Sequence, residues 1–298
     1  MANKTTFKTK FPLLLLLALP AVVLSPYAKA QNLTLEGQTG GFITPTGYVL
    51  QARAGHIYSM PAVGYHFINA GPVIGTISTL SATEGLWNRV EFGYTRVIHT
   101  NGSNLLYSPL WDYAGMNVVH AKASLLKEDS FGSKWTPAIG FGGVYRIQDH
   151  YVSGAAASTT YNNGDIYIAA TKTAINIKPA VLINVGFKMT NASIYGIGGN
   201  ATRFQGRFFG GLGFPLPGPW GLVFVPAAGF TQEPQHVKNL PGADIPTTLD
   251  YAVRVTQRNQ EKARFSFDIG VGQVANRILP GVELDARHVL GLGASYKF

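Results

Sequence analysis

Apolar and polar residues alternate with a period of two along most of the chain after residue 46. In the last segment, Leu290, Leu292, Ala294, Tyr296 and Phe298 share one face, while small and polar residues occupy the positions between them. Successive side chains of a β-strand point to opposite sides of the sheet, so this alternation predicts strands with one apolar face. No apolar stretch after the first thirty residues is long enough for a membrane helix.

About twelve such segments are predicted, each roughly ten residues long. The clear ones are 89–98, 180–189, 203–213, 262–272 and 290–298; the weaker ones are 47–58, 73–82, 115–126, 135–147, 164–173, 218–230 and 248–257. Ten tilted residues span the hydrocarbon layer, and bacterial barrels have an even number of strands. The pattern therefore predicts an all-β fold, a transmembrane antiparallel β-barrel of about twelve strands, in one domain over residues 47–298.

The lengths of the predicted connections support the same fold. Long connections are expected at 59–72, 99–114, 148–163, 190–202, 231–247 and 273–286, and short ones at 83–88, 127–134, 174–178, 214–217 and 258–261. Long and short connections alternate strictly. Outer-membrane barrels have long extracellular loops and short periplasmic turns, so their connections alternate between long and short along the chain.

The N-terminus predicts secretion. Lys4, Lys8 and Lys10 precede an apolar run over 11–24, and Ala28-Lys29-Ala30 supplies the small-x-small pattern of a cleavage site. The apolar run is shorter than the ~18 residues of a spanning helix, which favours a cleaved signal peptide at residues 1–30. We expect export across the inner membrane and localisation in the outer membrane. Residues 31–46 are predicted to be a plug segment or a flexible lead-in.

Composition narrows the function classes. The chain has 24 Lys and Arg against 15 Asp and Glu, and the predicted signal removes four of the lysines and no acid. This modest excess, without basic runs interleaved with aromatic residues, argues against nucleic-acid binding. The absence of cysteine excludes disulfides, thiolate metal sites and cysteine nucleophiles. Charged residues make up 13% of the chain, about half of the ~25% typical of soluble domains.

Polar positions opposite the apolar stripe are predicted to line the lumen. The main candidates are Arg89, Glu91, Lys122, Lys188, Arg203, Arg207, Arg254, Arg264 and Asp268, and the same face includes Arg53, His120, Arg146, Gln205 and Lys297. Charged rings set the selectivity of channels, so a mildly cationic lumen predicts a passive channel or transporter for small solutes, either anionic or hydrophobic. The alternative is a structural or surface-interaction barrel whose charges pair and fill the lumen, because twelve strands lie between filled and open barrels.

Aromatic residues mark two further places. Tyr107, Trp111 and Tyr113 lie in one long predicted loop, which either folds inward as a constriction or packs on its neighbours. Tyr296 and Phe298 end the chain and are predicted to be its insertion signal. The partners expected for such a chain are outer-membrane lipid and lipopolysaccharide, the barrel-assembly machinery, periplasmic chaperones and small solutes.

Catalytic and metal sites are not predicted. The seven histidines are scattered singly and match neither a metal-ligand spacing nor a His–Ser arrangement on one strand face. An outer-membrane hydrolase is the least favoured alternative, because a triad can assemble from distant loops. No cofactor is expected.

Three stretches resemble a known family. They are Thr83-Glu84-Gly85-Leu86-Trp87-Asn88-Arg89-Val90-Glu91, Trp135-Thr136-Pro137-Ala138-Ile139-Gly140 and the longer 165–199 segment. Together they are similar to the uncharacterised domain-of-unknown-function 3034 family of Gram-negative secreted proteins. The resemblance spans most of the chain after the signal. It implies an outer-membrane address and a barrel architecture, and it implies no substrate.

Overall fold

A computed structural model describes residues 32–52, 55–108, 115–149, 162–238, 242–258, 263–280 and 282–298. The predicted signal peptide, residues 1–30, lies outside these residues. No helix in the described part of the chain is both long and apolar enough to cross a membrane.

Twelve antiparallel strands close into a barrel, as the alternation predicts. They are β1 (Ala62–Asn69), β2 (Thr76–Leu86), β3 (Val90–Thr100), β4 (Gly115–Leu126), β5 (Ala138–Gln148), β6 (Asn163–Ala174), β7 (Val181–Ala192), β8 (Asn200–Gly213), β10 (Leu222–Thr231), β11 (Thr248–Gln257), β12 (Phe265–Gln273) and β15 (Val289–Lys297). Each pairs with the next along the chain, and β15 pairs with β1, so no edge is left open. The short strand β9 (Leu216–Pro217) extends the turn before β10, while β13 (Ala275–Leu279) and β14 (Val282–Ala286) form a separate hairpin.

The outer surface of the barrel is an apolar band. On β12 the side chains of Phe265, Phe267, Ile269 and Val271 point outward and are 42–50% exposed, whereas Ser266 between them is buried. The same alternation runs along most of the other strands. Large apolar side chains exposed over a closed sheet are stable in hydrocarbon and costly in water. The chain is therefore an outer-membrane β-barrel, with lipid and lipopolysaccharide as its surroundings.

The first predicted strand, 47–58, is wrong. Strand β1 begins at Ala62, and residues up to Ala52 lie inside the barrel. Tyr48, Val49 and Leu50 are all buried inside the barrel, so the apolar residues of this segment pack in the lumen and do not form a lipid-facing strand. The other eleven predicted segments each contain or overlap one observed strand.

The connections alternate less strictly than predicted. We call the end that carries Phe298 and the connections 87–89, 127–137, 175–180, 214–221 and 258–264 periplasmic, and the opposite end outer. The first outer connection, 70–75, is short and holds the single-turn helix α1 (Gly71–Ile74). The periplasmic connection 127–137 is longer than the outer connection 193–199. The other connections follow the predicted asymmetry.

Candidate functional site: a plugged lumen with an apolar cavity

Residues 32–52 lie inside the barrel and form what we call the plug segment. It folds back on itself through isolated antiparallel bridges, Leu33 with Thr39 and Gly40 with Pro45. Leu33 and Leu50, near its two ends, pack in one cluster with Ala62, the first residue of β1. Both ends of the plug segment therefore lie towards the periplasmic end, and the loop between them points up the lumen.

A buried ion pair on the barrel wall holds both arms of the plug segment. Lys122 Nζ lies 3.0 Å from Glu91 Oε1, and neither side chain is exposed. Lys122 also donates to the carbonyl oxygen of Thr39 at 2.8 Å. Glu91 accepts from the hydroxyl of Thr39 at 2.6 Å and from the backbone N–H of Leu50 at 2.8 Å. One carboxylate thus fixes two points of the plug segment, because each of its oxygens has a donor.

A second charged cluster holds the tip of the plug segment. The guanidinium of Arg146 is bidentate to Glu36, with Nη2 2.8 Å from Oε2, and Nη2 also lies 2.7 Å from Asp165 Oδ2. The Arg146 side chain is fully buried. The planar fork of arginine suits such a carboxylate, and a buried charge of this kind needs a partner. Since Glu36 belongs to the plug segment and the other two residues to the wall, removal of the plug would leave Asp165 as the carboxylate paired with Arg146.

Side chains of the wall also donate hydrogen bonds to the backbone of the plug segment. Thr83 and Thr95 donate to the carbonyl oxygens of Gly37 and Glu36 at 2.6 and 2.9 Å. Arg254, which is bidentate to Asp268, donates to the carbonyl oxygen of Gly40 at 2.8 Å. Polar groups of the wall therefore hold the plug segment together with its buried apolar side chains, such as Leu33, Leu35 and Leu50.

Glycine is required where the plug segment touches the wall. Gly37 has φ +84°, and a Cβ there would lie 2.6 Å from Thr95 Oγ1. A Cβ on Gly47 would lie 2.4 Å from the carbonyl oxygen of Ala138, closer than any side chain tolerates. Both positions allow the plug backbone to lie directly against the strands.

The plug segment leaves the barrel among polar groups at the periplasmic end. The Tyr48 hydroxyl donates to Glu128 at 2.9 Å, and Lys297 donates to the carbonyl oxygen of Gln51 at 2.6 Å. Burial, together with the negative charge of Glu128, raises the pKa of Tyr48 well above its ordinary value. Tyr48 therefore remains a neutral hydrogen-bond donor at this exit.

Loops fill the outer half of the lumen, together with the cluster around Arg146. Residues of α1, of the 193–199 connection, of 237–238 and 242–245, and of the β13–β14 hairpin fold inward onto the apolar parts of the strands. Their buried members are Val73, Ile74, Ile194, Ile197, Val237, Ala243, Ile245, Ile278, Leu284 and Ala286. Burial of this much apolar surface gives the loops a fixed position over the barrel.

An apolar cavity of about 60 Å³ remains between these loops, the plug segment and the wall. Its lining includes Phe42 and Ile43 of the plug segment, Ile74 of α1, and Asp250 of β11. Glycine residues of β12 and β15 form part of the wall and leave the space that larger side chains would occupy. The cavity is nearly free of polar surface, apart from Tyr195, Thr248 and Asp250.

One loop acid, Glu233, anchors the outer loops that cover the cavity, which we call its roof. Glu233, in the 232–247 connection, accepts from the backbone N–H of Ile194 at 2.7 Å and from the Thr248 hydroxyl at 3.0 Å. Burial raises the pKa of Glu233, although the positive charge of Lys188 opposes this shift. Burial likewise raises the pKa of Tyr195, whose hydroxyl lies 3.0 Å from the hydroxyl of Thr231. The free-energy cost of burying the Glu233 carboxylate therefore contributes to the stability of these loops.

The predicted lumen residues divide into two groups. Glu91, Lys122, Lys188 and Asp268 are buried inside the barrel; Arg254 also points inward, and Arg207 is half-buried near the outer end. Two ion pairs form among the predicted lumen residues, Glu91 with Lys122 and Arg254 with Asp268.

Three predicted lumen residues do not lie inside the barrel. Arg89 is exposed in the 87–89 turn, Arg203 is exposed near the outer end of β8, and Arg264 is exposed just before β12. Each occupies a position whose side chain would point inward if the strand extended that far. The alternation does not say where a strand ends, and these three residues lie at or beyond the ends of the wall. Arg53 lies outside the described residues.

The aromatic candidates also separate. Tyr107 packs partly buried against the apolar cluster at the outer end, whereas Trp111 and Tyr113 lie outside the described residues. Tyr296 and Phe298 are 40% and 51% exposed, and their ring centroids lie 5.1 Å apart at the periplasmic rim.

Sequence reasoning missed the acids that matter most. Glu36 was not predicted as a partner of Arg146, since it precedes the barrel, and neither Asp165 nor Asp250 was assigned to the lumen. The alternation in β11 is a signal that could have placed Asp250 on the inner face, because Tyr251 and Val253 beside it point outward. No cluster of His, Asp and Glu within the described residues could hold a metal ion.

Comparisons with known proteins add little. No family model and no curated protein matches the chain. Solved structures with a similar fold include the NanC porin, with a TM-score of 0.49, 10% identity and coverage of 80% of this chain and 100% of that chain. The KdgM porin has a TM-score of 0.45, 10% identity and coverage of 80% and 99%. LpxR from Salmonella typhimurium has a TM-score of 0.46, 12% identity and coverage of 80% and 100%. These likenesses are too distant to carry an argument about function.

Proposed function

We propose that the chain is an outer-membrane channel for small, largely apolar solutes, and that the plug segment closes it on the periplasmic side. The observation that carries the proposal is the apolar cavity inside the barrel, above the plug segment and below the outer loops. Ligand sites are typically concave and apolar with few polar groups, which describes this cavity. Membership of the domain-of-unknown-function 3034 family belongs to the proposal as well.

The way the plug segment is held suits a part that can move. Many of its contacts with the wall are hydrogen bonds and ion pairs, such as Glu36 with Arg146 and Thr39 with Glu91. Polar contacts of this kind can be exchanged for contacts with water, whereas its buried apolar side chains, such as Leu33 and Leu50, oppose withdrawal. Both ends of the segment lie towards the periplasmic end, so it can withdraw without threading through the barrel.

The charge of the lumen gives less support to an anionic solute. Among the inward-facing cations, Lys122, Arg146 and Arg254 each pair with a carboxylate. Lys188 is buried over the Tyr195 ring and has no ion pair among the described residues. An anion would have to displace a carboxylate at three of these four cations. Selectivity for anions therefore remains a prediction, and the apolar cavity favours the hydrophobic class of solute.

The second candidate is a structural or surface-interaction barrel with a permanently filled lumen. It is favoured by the many hydrogen bonds between the wall and the plug segment, since Glu91 alone accepts from both Thr39 and Leu50. The two candidates differ in whether the plug segment leaves, which can be measured directly.

A reversible tether tests the gate. The Cβ of Leu33 lies 3.4 Å from where a Cβ on Gly64 would be, close to the ~3.5–4.5 Å of a disulfide. Because the native chain has no cysteine, the pair Leu33→Cys and Gly64→Cys would form the only disulfide. In planar bilayers we expect ion current from the wild type and from the reduced pair, and loss of current on oxidation. Each single-cysteine variant under the same oxidant is the control.

Two results would contradict the proposal. No current from the wild type or the reduced pair at any voltage would favour the permanently filled barrel. Equal current before and after oxidation, with the disulfide demonstrated by mass spectrometry, would mean that the plug segment is not the gate.

A further inference from the structure

Positive charge is concentrated in the periplasmic connections. The five of them contain seven Lys and Arg against three Asp and Glu, whereas the six outer connections contain three against six. The outer connections are 70–75, 101–114, 149–162, 193–199, 232–247 and 274–288. Even with the arginines near the outer ends of the strands, Arg96, Arg203 and Arg207, the outer end is only neutral. The basic residues of the periplasmic connections that lie in the described part of the chain are Arg89, Lys127, Lys134, Lys178, Arg258 and Arg264.

Nearby acids leave this positive charge unbalanced. Glu128 and Asp129, two of the three acids, both pair with Lys172 of β6, whose Nζ lies 3.2 Å from Glu128 Oε1 and 2.5 Å from Asp129 Oδ1. A lysine outside the connections thus neutralises part of their charge. Three of the basic residues are exposed and form no ion pair within the described residues: Lys134, Lys178 and Arg264. An anion from outside the chain can approach these exposed cations directly.

Exposed aromatic side chains accompany the charges. Three of the four tryptophans of the chain lie in the periplasmic connections. They are Trp87, Trp135 and Trp220, which are 60%, 79% and 93% exposed. Trp87 and Trp220 have φ of +53° and +54°, in the left-handed region that bulky residues rarely adopt. A costly backbone conformation that holds a large ring away from the protein favours a contact with something outside the chain.

Each of these tryptophans has a basic residue beside it. Arg89 lies two residues after the first and directly before β3. Lys134 directly precedes the second, and Arg258 donates to the carbonyl oxygen of Gly218, in the turn of the third, at 3.2 Å. Because the strands span the bilayer, connections at their ends lie where the hydrocarbon layer gives way to head groups. Tryptophan is enriched at this level of a membrane, and Lys and Arg bind phosphate there.

We propose that the periplasmic connections bind the head groups of anionic phospholipids in the inner leaflet of the outer membrane. Their basic side chains donate charge-assisted hydrogen bonds to phosphate oxygens, while the neighbouring tryptophan rings lie between the head groups and the acyl chains. The outer end lacks the excess of positive charge and offers no equivalent surface. A soluble acidic partner needs the charges alone, whereas a lipid surface also accounts for the exposed rings.

Quenching by brominated lipid tests the proposal, because bromine on an acyl chain quenches the emission of any tryptophan that it touches. Trp111→Phe removes the one tryptophan outside the periplasmic connections, so that the other three report. The protein is reconstituted in phosphatidylcholine vesicles in which either brominated phosphatidylglycerol or brominated phosphatidylcholine replaces the same fraction of the host lipid. We expect phosphatidylglycerol to bind about fivefold or more tightly than phosphatidylcholine at low ionic strength, and the preference to disappear in high salt.

Two matched triple variants locate the charge. The periplasmic one combines Arg89→Gln, Lys134→Gln and Arg264→Gln, which remove three exposed basic residues. The outer one combines Arg203→Gln, Lys238→Gln and Arg287→Gln, which remove the same kinds of exposed residue from the other end. The periplasmic variant is expected to lose most of the preference for phosphatidylglycerol, and the outer variant to retain it. Migration on gels with and without boiling shows whether each variant is folded.

Equal quenching by the two lipids in the Trp111→Phe protein would overturn the proposal without any charge variant. A preference that survives the periplasmic triple variant would also overturn it, as would one that both triple variants abolish equally, since net charge alone would then explain it. Poly-L-glutamate, added to protein in phosphatidylcholine vesicles, probes for a soluble acidic partner. A shift of tryptophan emission with this polymer, combined with equal quenching by the two lipids, would assign the surface to such a partner instead. None of these results depends on ion current, so the channel and the lipid site succeed or fail separately.

Discussion

Glu91 and Lys122 form an ion pair of 3.0 Å inside the barrel, with neither side chain exposed, and together they hold Thr39 of the plug segment. The pair thus connects the barrel wall to the plug segment inside the lumen. Taking two charges out of water is costly, and their hydrogen bonds to the plug segment are what compensate. The stability of the barrel and the position of the plug segment are therefore coupled through these two residues.

Removal of one partner of this pair should destabilise the protein strongly. Glu91→Gln leaves the ammonium group of Lys122 buried without an opposite charge, at an expected cost of about 3–5 kcal/mol in the free energy of unfolding. Adding Lys122→Met to Glu91→Gln should recover part of this loss. Urea unfolding in detergent measures both. Asp149→Asn, which breaks the partly exposed pair with Arg96, is the control and should cost about 1 kcal/mol or less. Similar losses in the two single variants would contradict this account.

Weakening the tip of the plug segment should free it without loosening the strands. Glu36→Gln removes the charge that faces Arg146, while Asp165 still pairs with the arginine. We expect hydrogen exchange of plug amides, such as those of Thr39 and Leu50, to become about tenfold faster or more. Amides of the strands should be unchanged. Exchange that accelerates equally throughout the barrel would indicate global destabilisation instead.

A charge on the lipid face should be costly in a way that a charge on an exposed turn is not. Ile269, near the middle of β12, is 47% exposed to the outside of the barrel. Ile269→Arg is expected to destabilise the barrel in lipid by about 2–4 kcal/mol. Ile177→Arg is the matched control, because Ile177 is 49% exposed but lies in the periplasmic 175–180 connection. Equal effects would argue against a bilayer around β12.

The roof of the cavity should respond to pH through Glu233. Because its pKa is raised in the folded protein, the fold binds this proton more tightly than the unfolded chain does. The contribution to stability is complete below the unfolded pKa and is lost as pH rises towards the folded pKa. Urea midpoints measured from pH 4 to pH 8 should therefore fall more in the wild type than in Glu233→Gln. A larger fall in the variant would reverse the sign and contradict the burial argument.

The alternation of side chains predicted the barrel because lipid on one side and a packed lumen on the other impose a period of two on each strand. It placed Ile269 and Leu292 correctly, since Asp268 beside Ile269 and the glycines on both sides of Leu292 are buried. The same rule failed for residues 47–58, because the apolar residues Tyr48, Val49 and Leu50 are all buried inside the barrel. Period alone does not say which apolar environment a segment faces.

The site was less predictable than the fold because its contacts join residues far apart in the chain. Glu36 meets Arg146 across 110 positions, and Gly40 meets Arg254 across 214. Neither pairing leaves a local signal. The inward phase identified Lys122 and Asp268 as lumen residues, yet it also selected Arg264, which is exposed beyond the end of β12. Whether such a residue is buried in the lumen or exposed depends on how far the strand extends, which the alternation does not give.

The terminal aromatic residues should act in insertion more than in stability. Phe298 is 51% exposed, and its ring lies edge-on to Tyr296 at the periplasmic rim, so little packing is lost on truncation. With barrel-assembly machinery in proteoliposomes and periplasmic chaperones present, Phe298→Ala should fold severalfold more slowly than the wild type. Spontaneous folding in detergent should be unchanged. Phe204→Ala is the control, because Phe204 is 52% exposed near the outer end of β8. An equal slowing of Phe298→Ala in detergent would assign the residue to folding of the barrel itself rather than to recognition by the machinery.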